Sequence, residues 1–299
     1  MKIYDCFQFF DEEMLLDLRL NIMDKYVDKF VITEATYMHN GNPKKLIFDI
    51  NKFSKFKDKI IYIVVDKPPP DLFNIDESDN NKQDTRGQKL ILNGYKRDNY
   101  QRQMAQQALH DIEPDDWIII NDIDEIPNLK NVDMRTIKNK LLIFKQQIFY
   151  YKFNLLYSSV PWFGSRACKK KNFLSPQWVR DIKHKKYPLW RLDIIFSKKK
   201  YNDIFYISDG GWHFSNIKSP EDIEKKLLNY THHDEFEKSK LKVEDLRKKI
   251  KEKKIIYDHN VDQTGYKWGS DTKLLTIKLS DMPDYLRKNY KKYANWLEF

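Results

Sequence analysis

The chain has 299 residues, of which 41% are hydrophobic and 14% are aromatic. This is enough apolar surface for the packed core of one large domain or two small ones, so the composition excludes a disordered chain. The formal net charge is +10, and clustered Lys and Arg are the footprint of proteins that neutralise nucleic-acid phosphates.

Part of the lysine excess lies in short runs at 169–171, 183–186 and 198–200. Runs of like charge are usually solvated faces, and no aromatic residues are interleaved with these runs in a base-stacking pattern. We therefore predict no nucleic-acid partner. A basic surface of this kind also suits peripheral contact with anionic lipid or glycan.

No run of about eighteen apolar residues occurs, and residues 1–6 lack the basic start and long apolar stretch of a secretory signal. This predicts a cytoplasmic protein without a signal peptide or membrane anchor. Cys6 and Cys168 have no partner spacing, so neither a disulfide framework nor a zinc site is implied. Both are predicted to be core thiols.

The first third of the chain predicts a βαβ opening. Residues 2–6 and 30–34 have the apolar content of short buried strands, and an amphipathic helix from about Asp11 to Lys25 lies between them. A third strand, residues 59–65, ends before the three prolines at 68–70, because proline cannot donate a backbone hydrogen bond to a sheet.

Residues 71–94 are polar and weakly patterned, which predicts a mobile loop. A helix from about Asn99 to His110 follows, and then the apolar strand Trp117–Ile120. Strands that alternate with helices and are apolar throughout indicate an α/β fold with a mostly parallel sheet flanked by helices.

Residues 141–214 contain several aromatic, strand-like stretches and few helical signals, which indicates an antiparallel extension of the sheet. Three later segments predict C-terminal helices: Pro220–Leu228, Leu241–Lys254 and Met282–Leu297, the last entered through Pro283. No internal repeat and no interdomain linker is evident, so we predict one domain over residues 1–299.

The most informative segment is 118–127, in which an isoleucine strand runs into Asp122 and Asp124. Side chains alternate along an extended chain, so these two project to the same side at the carboxyl end of a buried strand. In open α/β sheets that edge is where ligands bind. Neighbouring carboxylates there favour Mn²⁺ or Mg²⁺, which can bridge to a diphosphate and neutralise a departing nucleotide.

An Asp-x-Asp triplet by itself is a weak signal, because it also occurs by chance in loops and helix caps. The competing catalytic hypothesis is a phosphatase that uses such a strand-end triplet as nucleophile and acid. Such enzymes usually place Thr or Val two positions after the second Asp, where this chain has Ile126. No convincing later acidic pair is present.

Four blocks occur in order along the chain: 3–7 with 18–20, 31–34 through 41–44, 121–127, and 210–215. Together they resemble glycosyltransferase family 17, which includes β-1,4-mannosyl-glycoprotein β-1,4-N-acetylglucosaminyltransferases, and the similarity runs over nearly the whole chain. The resemblance implies a GT-A (Rossmann-like) fold with a nucleotide-sugar-binding half, residues 1–130, and an acceptor-side half, residues 131–299. It further implies inverting transfer of a sugar, N-acetylglucosamine, from a UDP-sugar to a glycan hydroxyl with a divalent cation.

Four residues are candidate donor ligands under this resemblance: Glu34, Arg102, Asp122 and Lys226. Arg102 lies on the helix before the acidic strand, and its planar guanidinium suits diphosphate oxygens, although a surface pair with a nearby Asp is the alternative. Glu34 ends a strand at the same edge, where it would meet uracil or ribose or else cap a loop. Lys226 would hold phosphate or lie on a solvated helix face.

The segment 209–215 supplies further candidates. Its paired glycines allow close backbone approach, and Trp212 offers a flat face to an acceptor sugar. The resemblance implies that His213 joins Asp122 and Asp124 on the metal or the diphosphate. Arg166 ends a possible acceptor loop, 162–166, whose aromatic residues core packing explains equally well. His233 and Glu235 match a His-x-Glu pattern of the family's microbial members.

Inversion by direct displacement requires a general base for the acceptor hydroxyl, ordinarily a carboxylate. The candidates are Asp209, Glu125, Asp181 and Glu235, and we favour Asp209 and Glu125 as the catalytic pair. Two other functions stay open at this stage: a basic, non-catalytic module that binds glycan or nucleic acid, and the Asp-x-Asp phosphatase.

Overall fold

A computed structural model of the protein describes residues 1–76, 79, 85–184, 203–230, 233–258, 268 and 271–299. Its strands are β1 (Ile3–Phe9), β2 (Lys29–Ala35), β3 (Ile60–Val65), β4 (Trp117–Asp122), β5 (Glu125–Pro127), β6 (Leu141–Phe144), β7 (Gln146–Tyr150), β8 (Leu155–Trp162), β9 (Arg166–Lys169), β10 (Ile204–Ile207), β11 (Gly211–Ser215) and β12 (Leu275–Thr276). Its α-helices are α1 (Glu13–Met23), α2 (Thr85–Met104), α3 (Pro176–Asp181), α4 (Pro220–Asn229), α5 (His233–Ser239), α6 (Val243–Lys251) and α7 (Asp284–Lys288). Short 3₁₀ helices cover Ile50–Phe56, Ala105–Leu109, Lys170–Asn172, Leu279–Asp281 and Tyr290–Trp296.

The larger sheet has the strand order β10-β6-β9-β4-β1-β2-β3. Its β4-β1-β2-β3 part is parallel, and β9 runs antiparallel between β4 and β6. The sequence-based prediction of a largely parallel sheet flanked by helices is therefore confirmed.

Both faces of this sheet are covered, which explains why its strands are apolar throughout. Alternate residues of β1, β2 and β4 pack into two different clusters, with Phe7, Ile32 and Ile119 on one face and Cys6, Val31 and Ile120 on the other. Helix α1 covers the first face with four fully buried or nearly buried leucines, each worth about 2 kcal/mol of burial.

The second sheet has the order β12-β8-β7-β11-β5. It is mixed, since β11 lies parallel to β7 while the β5–β11, β7–β8 and β8–β12 pairs are antiparallel. The predicted antiparallel extension is therefore divided between two sheets: β6, β9 and β10 continue the first sheet, with β9 antiparallel to both neighbours, whereas β7, β8 and β11 belong to the second. Residues 122–125, which we call the acidic turn, join the two sheets, because β4 belongs to one and β5 to the other.

The predicted mobile loop at 71–94 is wrong for residues 85–94, which form the first half of α2. This half was missed because it buries no apolar stripe, and polar contacts hold it instead. Asn93 exchanges two hydrogen bonds with the backbone of Phe73, at 2.8 and 2.9 Å, and Lys89 pairs with Asp79. Residues 77–78 and 80–84 lie outside the described ranges.

The other predicted helices are found with shifted ends. Ser219 caps α4 by accepting a hydrogen bond from the Asp222 amide, and Pro220 occupies the first turn. The predicted C-terminal helix is broken into α7 and a 3₁₀ segment. No helix in the described ranges is long and apolar enough to cross a bilayer.

Cys6 and Cys168 are buried free thiols, as predicted. The lysines at 169–171 are less solvated than expected, since Lys169 and Lys170 are half-buried and each donates to a backbone carbonyl. The predicted solvated runs at 185–186 and 198–200 lie outside the described residues.

Candidate active site

A cavity of about 400 Å³ opens beside the acidic turn, where the carboxyl ends of β1 and β4 meet the second sheet. Five of the predicted site residues line it: Arg102, Asp122, Asp124, His213 and Lys226. They come from α2, the acidic turn, β11 and α4, so the fold brings together side chains that lie up to 124 positions apart in the sequence. The remaining predicted site residues do not line this cavity.

Asp122 is held by two arginines. Its Oδ1 accepts from Arg102 at 3.1 Å, and its Oδ2 accepts from Arg180 at 2.6 Å. Burial alone would raise the pKa of the Asp122 carboxyl, but Arg180 and Arg102 outweigh it and hold that pKa well below its ordinary value. Asp122 is therefore an ionised group whose charge is already compensated.

Asp124 has looser partners. Its Oδ1 lies 3.7 Å from His213 Nε2 and its Oδ2 lies 3.8 Å from Lys226 Nζ. Burial opposes ionisation, yet His213 and Lys226 hold the pKa of the Asp124 carboxyl below its ordinary value. Since neither contact is a close hydrogen bond, the carboxylate oxygens of Asp124 keep room for another ligand.

The His213 ring is fixed by packing rather than by hydrogen bonds. It stacks on Trp162 with ring centroids 4.6 Å apart and an interplanar angle of 26°. Its Nδ1 is buried and has no hydrogen-bond partner in the described structure. A buried nitrogen left unsatisfied is costly, whereas the other ring nitrogen, Nε2, faces Asp124.

Arg180, which the sequence analysis missed, links Asp122 to the loop that follows β8. Its guanidinium binds both oxygens of Glu125, at 2.6 and 2.8 Å, as well as the carbonyl of Gly164. Glu125 also accepts from Trp162 Nε1 at 2.6 Å. A Cβ at Gly164 would lie 2.1 Å from Glu125 Oε1, so only glycine fits this close approach.

Glu125, a predicted catalytic residue, is thus a structural anchor in this structure. It is fully buried, its oxygens accept from Arg180, Trp162 and the Asp122 amide, and it does not line the cavity. Glu34 is also fully buried, where it binds Lys44, Tyr62 and the amides of a loop. Its placement matches the loop-capping alternative rather than contact with a nucleotide.

Asp209 lies away from the cavity, in a separate open groove with Asn128 and Tyr206, and accepts from Asn128 Nδ2 at 2.9 Å. Trp212 packs against the core beside β5, and Arg166 is half-buried with its pKa lowered to about 10 by burial. The structure therefore does not bring these three to Asp122 and Asp124 in the cavity.

The other candidates also lie outside the cavity lining. Asp181 accepts from Gln177 at 2.8 Å, and buried His233 contacts the carbonyl of Tyr230 at 2.9 Å. Glu235 is half-buried on α5. By contrast, the paired glycines behave as predicted, because a Cβ at Gly211 would come within 2.2 Å of a β5 carbonyl.

Several cavity residues carried no local sequence signal. Glu12, at the start of α1, accepts from the Phe10 and Asp11 amides through Oε2, while its Oε1 lies 3.8 Å from Lys218 Nζ. His39 has a pKa lowered by burial, which Asp98 opposes. Tyr257 and Trp268 stand edge to face at 5.2 Å and form an aromatic wall with Tyr150 and Trp162. Only the folded chain brings these residues together.

The chain matches glycosyltransferase family 17 over residues 1–298. The protein belongs to this family. A segment of 121 residues is 31% identical to the β-1,4-mannosyl-glycoprotein 4-β-N-acetylglucosaminyltransferases of Homo sapiens and Rattus norvegicus, and 30% identical to that of Mus musculus. In each case the match covers 38% of this chain and 19% of the relative. The similarity thus concerns about a fifth of the length of these curated relatives.

The family 17 resemblance implies a divalent cation, and the donor set fits one in part. Within the described ranges, no three His, Cys, Asp or Glu side chains form a ready metal cluster. Asp124 Oδ1 and His213 Nε2 are 3.7 Å apart, and these two residues would hold a divalent cation. Asp122 fits less well, because arginines occupy both of its oxygens. An imidazole ligand favours a transition metal over Mg²⁺.

Proposed function

We propose that this family 17 glycosyltransferase is an inverting, Mn²⁺-dependent enzyme of GT-A type that transfers N-acetylglucosamine from UDP-N-acetylglucosamine to a glycan hydroxyl. The observation that carries the proposal is the meeting of Asp124, His213, Arg102 and Lys226 in one cavity at the carboxyl ends of parallel strands. The donor identity also rests on the likeness to the mammalian relatives.

The charged end of the cavity suits a diphosphate. Arg102 and Lys226 both line the cavity, where Arg102 contacts Asp122 and Lys226 lies 3.8 Å from Asp124. Asp124 and His213 would hold the cation, which supplies positive charge for the leaving nucleotide. Burial would lower the pKa of Lys226, but Asp124 and Glu12 raise it, so its ammonium stays charged at neutral pH.

The aromatic wall suits a sugar. Tyr150, Trp162, Tyr257 and Trp268 face the cavity from the second sheet and the segments after α6. Flat rings pack against the apolar faces of pyranose rings, while amide and hydroxyl groups such as those of Asn216 and Ser215 bind their edges. We assign this wall to the acceptor side.

The general base has to touch the acceptor hydroxyl, so we assign it to a carboxylate that lines the cavity. In the described lining these are Glu12, Asp98, Asp122 and Asp124. Asp98 and Asp122 are paired with Arg102, and Asp124 would hold the cation. Glu12 keeps one oxygen whose nearest cation lies 3.8 Å away. We therefore assign the base to Glu12 in place of Asp209 and Glu125.

The test is release of UDP from UDP-N-acetylglucosamine with Mn²⁺ and a mannose-terminated glycan acceptor. We expect acceptor-stimulated release that chelation abolishes and added Mn²⁺ restores. UDP-glucose and UDP-galactose serve as donor controls. Release that is absent with every acceptor, or equal in the presence of a chelator, would contradict the proposal.

A further inference from the structure

Helix α1 carries a fully buried arginine, Arg19, that faces the strands rather than solvent. Its Nε donates to Asp5 Oδ2 at 2.8 Å and its Nη2 donates to Asp5 Oδ1 at 2.6 Å, which makes a bidentate pair inside the protein. The guanidinium also lies over the Phe7 ring at 4.5 Å. Two of its three nitrogens are thus used for Asp5.

The third nitrogen, Nη1, reaches the acidic turn. It donates to the carbonyls of Asp122 and Ile123, each at 3.2 Å, and of Glu125, at 2.6 Å. The remaining carbonyl of the turn, that of Asp124, accepts from the Phe214 amide of β11 at 2.8 Å. Every backbone carbonyl of the turn therefore has a donor, and one arginine supplies three of the four.

The ion pair with Asp5 does not by itself account for this arrangement. Removing two charges from water is expensive, and apolar residues of similar volume often replace a buried ion pair without loss of stability. What apolar residues cannot supply is a set of hydrogen bonds to the turn. Lysine cannot supply it either, since only the planar fork of arginine binds a carboxylate and a row of carbonyls in two directions at once.

The turn sets the backbone positions from which Asp122 and Asp124 extend. Asp124 has to stay at its 3.7 Å distance from His213, and Asp122 has to stay between Arg102 and Arg180. A displacement of about 1 Å in such a constellation is enough to cost roughly 100-fold in rate. The buried donor that fixes the turn consequently acts on the site without touching a substrate.

We propose that Arg19, held by Asp5, is a positioning residue that keeps the acidic turn in the geometry required for binding the nucleotide diphosphate. The proposal rests on the proposed function, since that function assigns Asp124 to the cation and Arg102, the partner of Asp122, to the diphosphate. It also gives a physical role to the first of the four sequence blocks, 3–7 with 18–20, which contributes no residue to the charged end of the cavity.

The experiment compares Arg19→Lys, the double variant Asp5→Leu/Arg19→Met, and a core control, Phe56→Ala. Phe56 is buried against Phe30, away from the cavity lining. Thermal melting reports stability, titration calorimetry reports the affinity for UDP in the presence of Mn²⁺, and steady-state assays report kcat and KM for UDP-N-acetylglucosamine. If the single variant unfolds, the double variant serves instead, because it leaves no unpaired buried charge, although it also removes the Asp5 partner of the Asn121 side-chain amide.

We expect both Arg19 variants to lose at least about tenfold in UDP affinity and about 100-fold in kcat/KM, whatever their melting temperature. Phe56→Ala should have a lower melting temperature but keep the wild-type affinity for UDP and the wild-type kcat/KM. A folded Arg19 variant with wild-type affinity and turnover would overturn the positioning role. If the wild-type protein itself neither binds UDP with Mn²⁺ nor turns over, the proposed function fails, and this inference falls with it.

Discussion

The two ends of the cavity are built in different ways. The charged end stands on buried ion pairs and on backbone groups at strand ends, and its central carboxylate, Asp122, is clamped by Arg102 and Arg180. The aromatic end is assembled from side chains between 150 and 268 that pack on one another, as Tyr257 does on Trp268. Charged groups held in place suit a diphosphate, whose charge and structure are the same in every donor. Packed aromatic rings suit sugars, because they bind the flat apolar face of a ring and not one particular substituent.

The first test of this contrast removes the charge that would hold the cation. Asp124→Asn should lower kcat/KM by roughly 1,000-fold, because a neutral amide at this position no longer offsets the cation's charge. Steady-state UDP release measures the loss. Asp133→Asn, an exposed aspartate paired only with Arg135 in the described structure, is the matched control and should have wild-type activity. If the two variants are equally active, Asp124 has no role in catalysis.

A second test separates proton transfer from donor binding. Glu12→Gln should lower kcat for transfer by about 100-fold or more, while UDP affinity changes little, because the amide cannot accept the acceptor proton. Its neighbour Glu13 is exposed and pairs with Lys52, so Glu13→Gln is the control. If the Glu12→Gln variant keeps the wild-type kcat, Glu12 is not the general base.

A third test addresses the aromatic end alone. Tyr257→Leu should raise KM for the glycan acceptor by about tenfold and leave KM for the donor unchanged, since it removes a stacking face but no charge. Kinetics with both substrates varied measure the two constants. Tyr290→Leu, an exposed tyrosine of the last 3₁₀ segment, is the control. An effect of Tyr257→Leu on the donor alone would reverse the assignment of the two ends.

The smallest expected effect concerns pH. Burial lowers the pKa of His39, so the folded protein binds that proton less tightly than the unfolded chain does. The unfolded state then takes up more protons as the pH falls below about 6.5, and stability declines from there. We expect the melting temperature of wild type to fall by a few degrees more than that of His39→Gln between pH 7.5 and 5.5. His110→Gln, at an exposed position, should follow wild type.

The sequence was most informative where structure is local. The apolar strands β1 to β4 and the Asp122–Asp124 triplet follow from periodicity over a few residues, and the structure places both aspartates at the cavity. Arg180 reaches the same site from 58 positions away, and no spacing rule marks such a contact. Glu34 is the opposite case. Its position at a strand end predicted contact with a nucleotide, but in the structure its carboxylate binds Lys44 and Tyr62.

The first half of helix α2 was predicted as a loop for a related reason. Its first half is stabilised by polar pairs such as Asn93 with Phe73, not by an apolar stripe, so the pattern resembled a loop. Asp209, one of the two favoured candidates for the base, lies in a separate groove beside Asn128. The alternation of side chains along a strand does not show that Asp209, just before β11, lies in a different groove from His213, within β11.

We propose that Asp124 and His213 hold a cation on which nucleotide binding depends. Titration of UDP into the wild-type protein with and without Mn²⁺, and into Asp124→Asn, tests it most directly. We expect UDP binding that requires Mn²⁺ and that weakens at least about tenfold in the variant. UDP binding of equal affinity without Mn²⁺, or undiminished in Asp124→Asn, would contradict it.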